Sequence, residues 1–174
     1  MSVPIPPIAN IDDVLATPEH VDRNGPRGPF EATFGRIGRV LGARQLGVNV
    51  TVVAPGKCAW PRHYHYATEE MFVVLEGAGT LRYGDAHYPL RAGDVVSILA
   101  GTGVPFQLRN TSDAPLKYLA ISAENDPDVT VYPDSGKLGF FASGGPAREG
   151  GPHADGVVRI ISANHSMGYW EGEE

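Results

Sequence analysis

From Phe30 onward, short apolar runs alternate with glycine-containing turns, and no long stretch keeps the 3.6-residue period of an amphipathic helix. The alternation predicts nine strands, over 30–37, 45–53, 70–75, 79–83, 86–89, 95–99, 106–110, 116–122 and 129–132. Pro55-Gly56, Glu76-Gly77, Gly84-Asp85, Gly93-Asp94, the Gly101-Thr102-Gly103 triplet and Ser112-Asp113 supply the turns. Many short strands without a helical partner layer predict an all-β sandwich or barrel over residues 30–142.

The flanks differ in composition. Residues 1–29 form a proline-rich arm, in which Asn10 and Asp13 are placed to cap one helical turn through Val14-Leu15 before Pro18 ends it. Residues 143–174 form a second flank. Its glycines and prolines from Ser143 to Gly156 predict a mobile connection, and alternatively a lid over a site. One more strand is predicted over 157–161, and Tyr169 and Trp170 are expected to pack on the domain or on a second subunit.

Composition narrows the function classes. The net charge of -6 carries no Lys/Arg cluster, which argues against nucleic acid and anionic membrane as partners. Cys58 is the single cysteine, so an internal disulfide is impossible and a reducing compartment is suitable. The amino-terminal residues lack the basic start and apolar run of a secretory signal, and no run approaches a membrane span. A cytoplasmic location is the expectation.

The segment from His63 to Glu70 carries the candidate chemistry. Side chains at i and i+2 of a strand share a face, so His63 and His65 can converge on one point, whereas a helix would spread them by about 200°. With the carboxylate of Glu70 they form a donor set suited to a divalent transition metal. The competing interpretation makes both histidines partly exposed strand residues and Glu70 a surface charge. Glu69 competes with Glu70 for the carboxylate role, while Tyr64 and Tyr66 are assigned to packing on the opposite face.

These residues resemble the first motif of the cupin superfamily, with two histidines one residue apart, then a glutamate, then a glycine: His63, His65, Glu70 and Gly77 here. The second motif of that family is matched at its ends, by Gly93-Asp94 and Asn110. Its middle departs: Leu99 stands in the place of a proline and Phe106 in the place of the third histidine. The likeness runs from about Gly47 to Ser122. Outside it, the arm, the Tyr132–Lys137 segment and the Tyr169–Glu171 tail resemble small bacterial single-domain cupins often described as sugar-phosphate isomerases.

The resemblance implies a double-stranded β-helix or jelly-roll barrel and a metal (zinc, iron, manganese or nickel) on His63, His65 and Glu70. It implies a homodimer and a small organic substrate, sugar-phosphate-like in the subgroup. The reaction would be a metal-dependent isomerisation or, as a further option, a non-haem iron dioxygenation. The alternative is a non-catalytic, metal-free cupin that holds a small organic ligand beside Phe106. His87, His153, His165 and Cys58 are the other side chains that could replace the missing imidazole, and Arg62, Arg82 and Arg109 are the candidates for gripping an anionic substrate.

Overall fold

The computed structural model describes residues 5, 7–142, 156–164, 166–168 and 171–173. In chain order its helices are α1 (Ile11–Ala16) and α2 (Ile37–Val40). Its strands are β1 (Val21–Arg27), β2 (Phe30–Gly35), β3 (Leu46–Val53), β4 (Tyr64–His65), β5 (Glu70–Glu76), β6 (Ala78–Tyr83) and β7 (Ala86–Arg91). They continue as β8 (Val95–Ile98), β9 (Phe106–Arg109), β10 (Leu116–Ala123), β11 (Asp128–Tyr132), β12 (Lys137–Ala142) and β13 (Val157–Ser162).

The strands form three antiparallel sheets. A six-stranded sheet runs β1-β2-β3-β10-β5-β8, a four-stranded sheet β13-β12-β11-β4 and a three-stranded sheet β7-β6-β9. The architecture is the expected all-β jelly roll. Strand β3 shows how its sequence serves two layers: Asn49, Thr51 and Val53 face inward, while Val48 and Val50 pack outward. The main core joins Phe34, Val53, Phe72 and Tyr118 of the large sheet to Leu81, Leu108 and Phe106 of the small one.

Every predicted strand is present within a few residues of its expected bounds, apart from one end. Ile37 opens α2 instead of closing β2, because its side chain buries against Val14 and Val50 in a second apolar cluster. Asn10 caps α1 as expected, accepting the Asp12 N–H at 2.8 Å. The proline-rich arm also contributes β1, which pairs with β2 from Val21↔Gly35 to Arg27↔Phe30. Strands β1, β4 and β12 have no counterpart among the expected elements. The expected mobile segment falls almost wholly on residues 143–155, and Tyr169 and Trp170 likewise lie outside the described residues.

Two local features hold the turns that follow β5 and β9. Gly77 turns β5 into β6 at φ 81°, where a Cβ would lie 2.3 Å from the Pro115 carbonyl oxygen. Asn110 is fully buried; its amide donates to the Val53 and Ala114 carbonyls, and its oxygen accepts the Ser112 N–H and Oγ–H. Among the described residues no helix is long and apolar enough to cross a membrane.

Candidate metal centre

The site lies where all three sheets meet. His65 belongs to β4 and pairs with Thr130 of β11, in the four-stranded sheet. His63 sits just before β4 and bridges backbone to backbone with Phe106 at the start of β9, donating to its carbonyl at 3.1 Å and accepting its N–H at 2.8 Å. Glu70 opens β5 in the six-stranded sheet. The extended backbone at 63–65 sends both imidazoles inward, ring centroids 5.1 Å apart and nearly perpendicular.

Three donor atoms converge there. His63 Nε2 stands 3.8 Å and His65 Nε2 3.6 Å from Glu70 Oε2, and donor atoms of the three residues all lie within 4.8 Å of one another. Each imidazole has its other nitrogen occupied. His63 Nδ1–H donates to the Pro61 carbonyl at 2.7 Å. His65 Nδ1–H donates to Asp128 Oδ2, with Thr130 Oγ1 3.1 Å away. Those bonds fix the tautomers that leave both Nε2 lone pairs facing Glu70.

Glu70 Oε2 is buried and has no hydrogen-bond partner among the described residues. A buried carboxylate oxygen without a donor is costly, and a cation shared with two imidazoles would satisfy it. The donor set, two imidazoles and one carboxylate with open positions, is one that zinc and non-haem iron accept. The residues present therefore fit a divalent transition metal.

The electrostatics follow from burial and from Asp128. Burial, and then the neighbouring His65, hold His63 down at about 4, so its imidazole is neutral at pH 7. Burial also opposes a charge on His65, but the Asp128 hydrogen bond and the Glu70 and Asp128 carboxylates outweigh it and raise its pKa. Burial pushes Glu70 upward. Asp128 moves the other way, to about 2: burial opposes its charge, and the bonds from His65 and the Ala67 N–H override that cost.

The donor set opens on a cavity of about 390 Å³. Phe106 forms part of its wall, 2% exposed, with its ring centroid 4.7 Å from that of His63. The expected substitution of an apolar ring for an imidazole at this place is therefore in direct contact with the site. Glu70, not the exposed Glu69, faces the histidines. Tyr64 and Tyr66 pack on each other at 5.7 Å, away from the cavity lining.

The arginine expectations need correction. Arg62, Arg82 and Arg109 do not line the cavity. Arg62 binds Asp134 and the Gly84 carbonyl, Arg82 approaches the same Asp134, and Arg109 is exposed on β9. Each lies near a motif in sequence, but Arg82 and Arg109 point away from the cavity on β6 and β9, and Arg62, before β4, is turned toward Asp134 and Gly84. Instead Arg36, just beyond β2, lines the cavity. His87 is exposed on β7, Cys58 is buried outside the cavity lining, and His153 and His165 lie outside the described residues.

Asp128, Thr130 and Tyr132 are site residues that the sequence reasoning missed. All three line the cavity from β11. The available signal was polar residues at i, i+2 and i+4 of a short strand, Asp-Val-Thr-Val-Tyr, which puts three polar side chains on one face.

Comparison with known proteins agrees with the geometry. The family model described as Cupin domain matches residues 49–122, the span holding both motifs. Residues 49–122, which hold both motifs, are thus similar to cupin domains. A sugar phosphate isomerase of the cupin superfamily from Silicibacter pomeroyi is 29% identical, with TM-score 0.63 over 70% of this chain and 79% of that one. A proposed sugar phosphate isomerase from Acidithiobacillus ferrooxidans is 21% identical, with TM-score 0.74 over 92% of this chain and 95% of that one, and shares the fold. Auxin-binding protein 1 of Arabidopsis thaliana is 29% identical over 140 residues, covering 75% of this chain and 65% of the plant protein. The chain spans between 46% and 65% of the length of the curated relatives it matches.

Proposed function

We propose that this protein is a metal-dependent enzyme acting on a small organic substrate, with the metal on His63, His65 and Glu70. The observation that carries the reading is the unpartnered, buried Glu70 oxygen facing two imidazole nitrogens whose tautomers are already set. When bound, a divalent metal would supply Lewis acidity toward a carbonyl or hydroxyl oxygen of the substrate.

The chain's own residues set the conditions for that chemistry. Asp128 holds the His65 ring in place and keeps Nδ1 protonated. Phe72, Phe106 and Leu108 exclude water from one side of the cavity. Tyr132 lines the wall, and burial, with the Asp128 and Glu70 charges, raises its pKa, so its hydroxyl stays a proton donor at neutral pH.

Aldose–ketose isomerisation is the reaction class we favour, in line with the activity of the Silicibacter pomeroyi relative. It requires a base to carry a proton between adjacent carbons. Glu70 is assigned to the donor set and Asp128 to His65, which leaves Glu124 as the further carboxylate on the cavity wall. Incubating metal-loaded protein with aldose phosphates in deuterated water tests this by NMR. Deuterium appearing beside the carbonyl supports isomerase chemistry, and neither exchange nor interconversion with any aldose phosphate refutes it.

Phe106 favours a second reading, in which the cavity holds an organic ligand without turnover. The ring presses on His63 and makes that wall apolar. A co-purified compound in metal-free protein distinguishes this reading from the first.

A further inference from the structure

Arg36 is a cation on the cavity wall for which the metal-centre reading has no use. It lies one residue beyond the end of β2, at the N-cap of α2, and lines the cavity together with Phe34. Strand β1 and the turn before it fix it twice: the Arg36 N–H donates to the His20 carbonyl at 2.8 Å, and Arg36 Nε donates to Asp22 Oδ2. Asp22 engages only Nε. The Nη1 and Nη2 edge, which is the face suited to a second oxyanion, has no partner among the described residues.

Register places this edge at a defined distance from the metal donors. Gly35 pairs with Val50, Val50 with Leu119 and Leu119 with Val73, three residues along β5 from Glu70. Three strand spacings, about 14 Å, and that stagger, about 10 Å, put the two backbones roughly 17 Å apart across the sheet. The long arginine side chain shortens the gap, so a small molecule could reach both ends. Asn49 lines the floor between them, and the Phe34–Trp60 stack, with centroids 4.6 Å apart, forms a flat wall beside Arg36.

We propose that Arg36 is an anion anchor, and that the cavity takes a small organic phosphate or carboxylate whose oxygen-bearing far end faces His63, His65 and Glu70. The anchor rests on the reading of this cavity as a substrate site and adds the substrate's charge and orientation. It also explains why the amino-terminal arm pairs with the barrel, since Asp22 of β1 holds the guanidinium in position. The acidic groups nearby are Asp22, which already engages Nε, and Glu124 on the cavity wall.

The test uses inorganic phosphate and acetate as probes of the two head groups, titrated into metal-loaded protein while the Trp60 indole N–H and Asn49 side-chain amide signals on the same cavity wall are followed by NMR. The expected result is a saturable shift with at least one anion, weakened roughly tenfold or more in Arg36→Gln and partly retained in Arg36→Lys. Preference for phosphate or for acetate identifies the head group. No saturable shift with either anion, or equal binding by Arg36→Gln, overturns the anchor. Metal content separates this from the metal reading: Arg36→Gln should hold as much metal as the unsubstituted protein, and His65→Ala should lose metal yet keep the anion-induced shift. Loss of the shift in His65→Ala would show that the anion binds at the metal and not at Arg36.

Discussion

His65 and Asp128, 63 residues apart in sequence, meet through a hydrogen bond from Nδ1–H to Oδ2 of 2.5 Å, with the carboxylate also accepting the Ala67 N–H at 2.9 Å. The pairing of β4 with β11 brings them together. The contact selects the tautomer in which Nε2 carries the lone pair facing Glu70, so it acts on the metal site without touching the metal position.

Asp128→Asn should therefore weaken metal binding by about 10- to 100-fold, while the fold is retained. Competition with a chromophoric chelator measures the change. Unaltered affinity in a folded variant would mean that the His65 ring needs no carboxylate to hold it.

Acid should weaken metal binding in a way that follows His65. His63, held down at about 4 chiefly by burial, is already neutral at pH 7. The raised pKa of His65 means that the metal-free site binds a proton which a metal must displace. Affinity then rises as pH increases through the His65 pKa, approaching roughly tenfold per pH unit on its acid side. Dissociation constants measured between about pH 6 and 8 check the sign; affinity independent of pH would contradict it.

Phe106→His should slow metal loss, because residue 106 faces His63 across a backbone bridge with ring centroids 4.7 Å apart. Phe106→Leu serves as the apolar control. Dissociation into excess chelator gives the rates, and identical rates for all three proteins would place the ring outside the reach of the metal.

Asn110→Ala should destabilise the protein by about 2 kcal/mol, since the fully buried Asn110 side chain gives up its bonds to the Val53 and Ala114 carbonyls and the buried Val53 carbonyl loses a donor. Calorimetry should show Tm lower by roughly 4–8 °C. The metal stoichiometry of the folded variant should not change.

The donor set was legible because it is local. The two-residue period brings His63 and His65 together, while Glu70, at the start of β5 in another sheet, is picked out by its place in the resembled motif. Asp128 and Arg36 were not legible, for they reach the cavity through the β4–β11 pairing and the β1–β2 edge, and strand partners cannot be read from spacing. Strand β1, Val-Asp-Arg-Asn-Gly-Pro-Arg, is polar and broken by Gly-Pro, so its composition hides its pairing. Strand β4 is two residues long and carries no period of its own. Arg62, Arg82 and Arg109 show the converse: nearness to a motif in sequence does not fix which face of the sheet a side chain takes.

The most direct measurement is the metal content of the purified protein, by plasma mass spectrometry, before and after removal and return of divalent zinc, iron, manganese and nickel. About one equivalent of one of these metals per chain is the expected content, lost in His63→Ala, His65→Ala and Glu70→Gln. Protein that takes up none of the four, or that keeps its metal after Glu70→Gln and both histidine replacements, would contradict it.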